Sequence, residues 1–457
     1  MKSEFAKIAI IAIITVVVMA IYTVMPKFDY FSEKEQDSLS VIYVEASDSL
    51  EVTTSPSETH TTKPPKKKYV KKIKPVAFSE ITDGDDFTNI SEFFTKLEAL
   101  QQGKINKLRI AYFGDSITES DLGTNNFRSC WQDSLGGEGV GFVPAVSVLS
   151  QFRSSIQHKF SSNWREYSIS KVQERKFPLG IFGNVAMPSL PKTDSLGYVK
   201  KSVSWHSYSM MDGNQLSKPT LILLNQKEDM PIEYVINNDT LRTIISTSDQ
   251  LQFITLSDSL IKYLAISYYP QDTCYVYGVD FSDKRGVYVD NFSIRGNKGN
   301  NFTHLQLDIL EQFNNHFNYD LFILHYGANV TDPIMQDYSW YRIAMKNNIK
   351  HLQQLKPAPP ILLISMGDRG AMVDTLWVSS PDIPYLIKEQ QRIAKDSEVG
   401  FFNLFTALGG ENSNVKLRTQ GLLTPDHTHF TRKGAKYFGD LLYDKFMQEY
   451  QTYLKRQ

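Results

Sequence analysis

Cysteine is scarce, with 2 in 457 residues. A chain so poor in thiols holds neither a disulfide-dense scaffold nor a zinc ribbon. Cys130 and Cys274 either pair in an oxidising compartment or serve as two separate small apolar residues. An excess of charge is missing too. Lys and Arg number 49 against 50 Asp and Glu, for a net charge of −1. No global field draws nucleic acid, and none is expected as a partner. No P-loop string, no His-Glu-x-x-His helix and no Gly-x-Ser-x-Gly elbow occurs, so the common phosphate-binding, zinc-protease and α/β-hydrolase signatures are absent. What is present is globular composition: 41% hydrophobic, 12% aromatic and 22% charged residues. Wholesale disorder, collagen and coiled-coil arrays are excluded, and the length leaves room for two or three domains.

One long uncharged run stands at the start, Ile8 to Met25 (IAIIAIITVVVMAIYTVM). At helical rise it roughly reaches the lower limit for crossing a ~30 Å hydrocarbon layer. A cleaved signal peptide usually has a shorter apolar region of about 7–15 residues and ends in small side chains. Here the exit is bulky (VVVMAIYTVMPKF), which favours an uncleaved anchor. Lys2 and Lys7 precede the run and Lys27 follows it, which keeps the N-terminus cytoplasmic. The expectation is a single-pass protein of the plasma (inner) membrane, with its bulk on the periplasmic or extracytoplasmic side.

Residues 1–25 are therefore assigned to a cytoplasmic stub and transmembrane anchor, and 26–85 to a flexible linker. The linker is first Ser/Thr/Glu-rich and then lysine-rich (KPPKKKYVKKIKP). The lysines form either a patch for anionic lipid or wall polymer, or a solvated, self-repelling tether. Such a segment spans about 40 Å on average. Order begins near Asp86. Phe93, Leu97 and Leu100 recur at helical spacing before Gly103. Leu108–Phe113 is a short apolar strand, followed by a turn and a helix over Thr124–Leu135, the opening of a parallel α/β sheet.

From 151 to 284 helical periods vanish. Runs such as SVSWHSYSM, TLILLN, IEYVIN and CYVYGVDF alternate with turn residues, the pattern of an inserted β-sandwich or jelly-roll. The α/β alternation resumes over 285–457. Helices are expected at His304–Phe317, Tyr338–Leu355, Ile383–Lys395 and Lys433 to about Tyr453. Strands are expected at Asp320–His325, Pro360–Met366 and Phe401–Leu404. The last helix places Tyr437, Leu441, Leu442 and Phe446 on one side.

Four strings could carry chemistry. Gly114-Asp115-Ser116-Ile117 follows the first strand, where ligands of open α/β sheets sit. Its Ser is a nucleophile candidate whose own N–H can face an oxyanion; read alone it is a turn with a capping Ser. Asp426-His427-Thr428-His429 precedes the last helix. A serine needs a base and the base an orienting carboxylate, and the Asp-x-x-His spacing selects Asp426 with His429. His427 is then a rim or structural residue. Two His and one Asp without a third ligand make a poor zinc site, so neither metal nor cofactor is expected. Gly327-Ala328-Asn329 ends another strand, and its amide could donate to an oxyanion. Arg295-Gly296-Asn297-Lys298-Gly299 offers glycines whose N–H groups allow close approach. His325 either lines the site or packs at a strand end. Trp205 either stacks on sugar or joins the sandwich core.

Taken in order, the four strings resemble the blocks of the SGNH (GDSL-like) hydrolase family, over about residues 105–150 and 285–455. Ile117 stands where many members carry Leu. The resemblance implies a three-layer α/β fold with a parallel sheet. It also implies roles: Ser116 as nucleophile, His429 as general base and acid, and Asp426 as its orienting group. The oxyanion hole would use Ser116 N–H, Gly296 N–H and the Asn329 side chain, with Gly299 as the fallback for Gly296. The longer strings GDSITESDLGTNNFR, LGGEGVGFVPA and RGVYVDNFSIRG are similar to bacterial SGNH esterases acting on O-acetylated peptidoglycan or exopolysaccharide. Some of these carry an inserted β-sandwich. The implied activity is O-acetyl removal from a cell-envelope glycan. An O-acetyltransferase with the same three residues, or a non-catalytic glycan-binding protein, is the alternative.

Overall fold

The computed structural model describes residues 76–81, 84–193, 199–200, 203–211 and 214–457. The expected anchor and the lysine-rich stretch lie outside them. Among the described residues no helix is long and apolar enough to cross a membrane.

The centre is a five-stranded, all-parallel sheet. Its strands are β1 (Lys107–Gly114), β2 (Gly286–Asn291), β3 (Leu321–His325), β4 (Ile361–Ile364) and β5 (Gly400–Phe402), in the order β2-β1-β3-β4-β5. Strand side chains alternate between two cores. Ile110, Tyr112, Val287, Val289, Leu321, Ile323, Leu362 and Ile364 face one; Ala111, Phe113, Phe322, Leu324, Ile361 and Leu363 face the other. Burial on both faces is why these strands read as unbroken apolar runs rather than alternating ones.

Three helices cover the first face: α1 (Ser91–Gln101), α2 (Thr124–Leu135) and α6 (Arg432–Leu454). The second face is covered by α3 (Leu307–Phe317), α4 (Ser339–Leu352) and α5 (Ile383–Asp396). This gives the expected helix–sheet–helix layering. On α6 the buried ladder is Phe438, Leu442, Phe446 and Tyr450, at strict four-residue spacing, while Tyr437 is exposed. Leu442 and Phe446 of the expected side lie in this ladder, and Leu441 packs partly buried against the same core. Phe446 meets Phe87, Phe93, Phe127 and Trp131, and burying each such ring contributes roughly 1.5–3 kcal/mol.

Beside a short two-stranded ribbon, Lys192–Thr193 with Val199–Lys200, the β-rich region forms two large antiparallel sheets. One orders Asp239–Ile245, Met230–Ile236, Tyr263–Tyr268, Ser204–Met210 and Ile156–Phe160. The other orders Gln252–Thr255, Pro219–Asn225, Cys274–Phe281, Asn184–Pro188 and Trp164–Ser168. Gly141–Pro144 also pairs with Cys274–Phe281, so antiparallel pairing begins ahead of the boundary placed at 151. Leu221, Leu223, Val276 and Val279 share a core with Tyr208, Ile232, Leu264 and Ile266 of the facing sheet. Their neighbours Ile222, Leu224 and Tyr277 point the other way and pack with Phe313 and Phe317 of α3. One sheet is therefore wedged between a partner sheet and a helix of the α/β part.

A buried ion cluster crosses the same seam. Arg109 of β1 is 1% exposed. It binds Asp280 through Nη2 at 2.6 Å and Asp290 of β2 through Nε at 2.6 Å, and lies over the Phe317 ring at 4.0 Å. Tyr319 donates to Asp290 at 2.7 Å. Cys130 and Cys274 are both free thiols; burial pushes Cys274 up to about 12.

Candidate active site

Three strand ends and the loop before α6 converge. β1 ends in Gly114, and a side chain there would meet Thr118 Oγ1 at 2.4 Å and Ser293 Oγ at 2.8 Å. Glycine is therefore required where the first loop crosses the segment after β2. Thr118 Oγ1 and Ser293 Oγ share a hydrogen bond at 2.8 Å, and Ile294 N–H donates to Gly114 O at 3.1 Å. Asn291 Nδ2 donates to Thr118 O at 2.6 Å. These bonds fix the Ser116 loop against the Gly296 segment.

Ser116 Oγ lies 2.9 Å from His429 Nε2, and His429 Nδ1 lies 2.6 Å from Asp426 Oδ2. The short Nδ1 contact to a carboxylate assigns the proton to Nδ1, which leaves the Nε2 lone pair facing the serine hydroxyl. Asp426 Oδ1 accepts from Thr424 Oγ1 at 2.6 Å, Thr428 N–H at 3.0 Å and His429 N–H at 3.1 Å. Burial alone raises the Asp426 carboxyl. The His429 hydrogen bond and charge, with the Thr424 hydroxyl and the His429 N–H, overcome that and hold it well below the usual carboxylate range. The loop is held from below as well: Thr424 N–H donates to His429 O at 2.8 Å. Thr431 caps α6 by accepting from Gly434 N–H at 3.1 Å.

The donor candidates lie on the two flanking loops. Asn329 Nδ2 donates to Asn297 O at 3.2 Å, which ties the loop after β3 to the segment after β2. Gly296 (φ +73°) is exposed with open space around it. Gly299 differs. Its N–H donates to Asn297 Oδ1 at 2.9 Å, and a side chain there would lie 2.4 Å from the Tyr326 ring. Gly299 therefore shapes the loop, whereas Gly296 is exposed.

Asp115 was not singled out by the sequence. It is 1% exposed, accepts from Ile117 N–H at 3.0 Å, and sits among Ala328 N–H, the Asn329 amide and His429. Burial pushes its carboxyl up to about 6 against the pull of those groups. Its carboxylate thus lies in contact with the loop of the serine and the loop of the asparagine. Thr424, which holds Asp426, was likewise not singled out.

Of the doubtful residues, His325 is buried in the first core. It bonds Tyr112 OH through Nδ1 at 2.8 Å and stacks on Phe438; burial pushes it down to about 3. It does not share the relay. His427 stacks on Trp377 at 4.3 Å and bonds Asn414 Oδ1 at 3.1 Å, a structural place beside the relay. Trp205 is partly exposed and its carbonyl accepts from Trp164 Nε1 at 3.1 Å. Among the described residues no cluster of three or more His, Cys, Asp or Glu could hold a metal ion.

No family model and no curated protein matches the chain. Solved structures do. A peptidoglycan O-acetylesterase superposes with a TM-score of 0.62 at 20% identity, over 80% of this chain and 99% of that one. A family two carbohydrate esterase from Cellvibrio japonicus aligns over 65% of this chain and all of that one. With 10% identity and a TM-score of 0.27 it carries no further argument. At this identity the first likeness establishes the fold. The expectation of an α/β fold with a parallel sheet and added antiparallel sheets is met.

Proposed function

We propose that this chain is a serine esterase of the SGNH type that removes O-acetyl groups from a cell-envelope polysaccharide or peptidoglycan. The observation that carries the reading is the unbroken relay from Ser116 through His429 to Asp426, at 2.9 and 2.6 Å. The fold shared with a solved peptidoglycan O-acetylesterase supports the substrate class. The apolar run at Ile8–Met25 and the long polar linker support an enzyme tethered outside the plasma membrane, near its polymer.

The reaction follows from the relay. His429 Nε2 takes the Ser116 proton as Oγ attacks the acetyl carbonyl carbon. Ser116 N–H, Gly296 N–H and the Asn329 amide receive the oxyanion that forms. The bond to the sugar oxygen then breaks, and that oxygen takes the proton back from His429. Water, deprotonated by the same nitrogen, attacks the acetyl-serine. Acetate leaves and the proton returns to Ser116 Oγ. Asp426 stays ionised throughout and stabilises the imidazolium.

The test is acetate release from acetylated wall fragments, with deacetylated fragments as control, together with labelling by a serine-directed fluorophosphonate. Release and labelling are expected, and both disappear in Ser116→Ala. Asn329→Ala loses on the order of 10²–10³ in turnover while still labelling slowly. Undiminished turnover in Ser116→Ala overturns the reading.

A further inference from the structure

The loop that carries Ser116 ends in a strained and buried junction. Ser120 and Asp121, at φ 62° and 67°, both lie in the left-handed region although neither is glycine. Such residues persist where the surroundings hold them. Asp121 is 1% exposed. Its Oδ1 accepts from Thr124 Oγ1 at 2.9 Å; its Oδ2 accepts from Arg128 Nη2 at 2.7 Å and Ser155 Oγ at 2.5 Å. Arg128 is itself satisfied, donating also to Val289 O and Asn125 Oδ1, each at 2.9 Å.

A second guanidinium reaches the same carboxylate from the β-rich region. Arg153 is 7% exposed. Its Nη2 stands 3.6 Å from Asp121 Oδ2, and its Nε and Nη2 are buried without a hydrogen-bond partner. One buried carboxylate therefore faces two buried guanidiniums, an excess of one positive charge. Burying a charge whose donors make no bonds is costly unless something completes it.

Arg153 also lines a cleft of about 290 Å³. Its walls include Glu119 of the Ser116 loop, Ile294 and Arg295 next to Gly296, and Glu166 and Lys171 of the β-rich region. Both other cations in this wall already have partners. Arg295 pairs with Glu119 at 3.2 Å, and Lys171 with Glu174 at 3.2 Å.

We propose that this cleft is a subsite for the carboxylate of an acidic sugar, and that Arg153 is its ligand. Arg153 brings to the cleft wall a positive charge that Asp121, already bonded to Arg128, does not neutralise alone, and a carboxylate meets a guanidinium by a charge-assisted hydrogen bond. Glu119 and Glu166 in the walls weigh against a multiply charged phosphate. The cleft adjoins both the Ser116 loop and the Gly296 segment, so the acidic residue neighbours the one bearing the ester. Only this last placement rests on the esterase reading; the anion site does not.

The test is calorimetric titration of the Ser116→Ala protein with D-glucuronate, N-acetylmuramate and neutral N-acetylglucosamine. At least one acid is expected to bind about tenfold or more tightly than the neutral sugar, and to lose about tenfold in Arg153→Gln. A response to one acid alone says whether the carboxylate is a uronate or a lactyl ether. Because Arg153→Gln can disturb the Asp121 junction, a second pair is made at Val148, which is 73% exposed and lines the cleft. Val148→Glu should weaken acid binding severalfold and Val148→Lys should strengthen it, while neither moves the neutral sugar. Acids that bind no better than the neutral sugar, or that bind alike in all these variants, overturn the proposal. Acetate release by the Ser116-intact protein is followed separately, and its failure strikes the esterase reading while leaving the titration result standing.

Discussion

Replacing Asp426 by Asn removes one charge and swaps one oxygen for an amide. The carboxylate accepts four hydrogen bonds: three at Oδ1, from Thr424 Oγ1, Thr428 N–H and His429 N–H, and one at Oδ2 from His429 Nδ1. Three donors outweigh one, so the asparagine oxygen takes the Oδ1 place and its NH₂ faces Nδ1. A donor then meets a donor at 2.6 Å. The imidazole relieves this by moving its proton to Nε2, where it points at Ser116 and accepts nothing. In a protease with the same relay, that tautomer change lowers kcat by about 10⁴. Here the Asp426 side chain is 41% exposed, so water softens the effect. A fall of about 10²–10⁴ is expected, or roughly 2.7–5.4 kcal/mol of transition-state stabilisation. The assay is steady-state hydrolysis of phenyl acetate, with thermal unfolding as the control for folding. KM should change little, because Asp426 does not touch the ester. A folded Asp426→Asn protein with kcat within about threefold of the parent would refute the reasoning.

Further outcomes follow from the packing. Arg109→Met strands Asp280 and Asp290 without their cation and should cost about 3–5 kcal/mol in denaturant unfolding. An unchanged midpoint contradicts that. Gly296→Ala meets open space and should cost only about 1 kcal/mol of backbone strain, whereas Gly299→Ala also meets the Tyr326 ring and should cost distinctly more. Equal melting temperatures for the two would be inconsistent with this. His325 is pushed down to about 3 by burial, so between about pH 6.5 and 3 the unfolded chain binds a proton there that the folded one does not. Stability at this site is full above the unfolded value and falls as pH drops through that window. His325→Gln should therefore flatten the acid slope of unfolding free energy by up to about 1.4 kcal/mol per pH unit.

The parts of the site that the sequence made legible are those where chemistry and chain position coincide. Ser116 and Asn329 follow apolar runs that could only be strands, and Asp426 with His429 sits just before an amphipathic helix. Spacing alone chose His429 over His427, and the geometry separates them by a stacked Trp377. Gly296 is preferred to Gly299 on the resemblance of its string alone, because a glycine's surroundings, here nothing for one and an aromatic ring for the other, are not written in the sequence. Arg109 and Arg153 left no trace in the pattern, because the carboxylates they meet lie far along the chain. Asp115 stands in the first of the four strings, but nothing in the string shows that it is buried among Ala328, Asn329 and His429. The early start of antiparallel pairing was hidden likewise, because GFVP is too short to read as a strand until Cys274–Phe281 is set beside it. The hairpin Gly370–Val373 with Leu376–Ser379 escaped because its strands are short.

The sheet caught between its partner sheet and α3 has a bearing on engineering. A designer wishing to excise Gly141–Phe281 and graft it elsewhere, as one would a detachable glycan-binding module, would strip the cover from Phe313 and Phe317 and deprive Arg109 of Asp280. The donor scaffold would lose its interior and the transplant would arrive with a bare greasy side. Redesign of the β-rich part therefore means rewriting its loops in place rather than exchanging it whole.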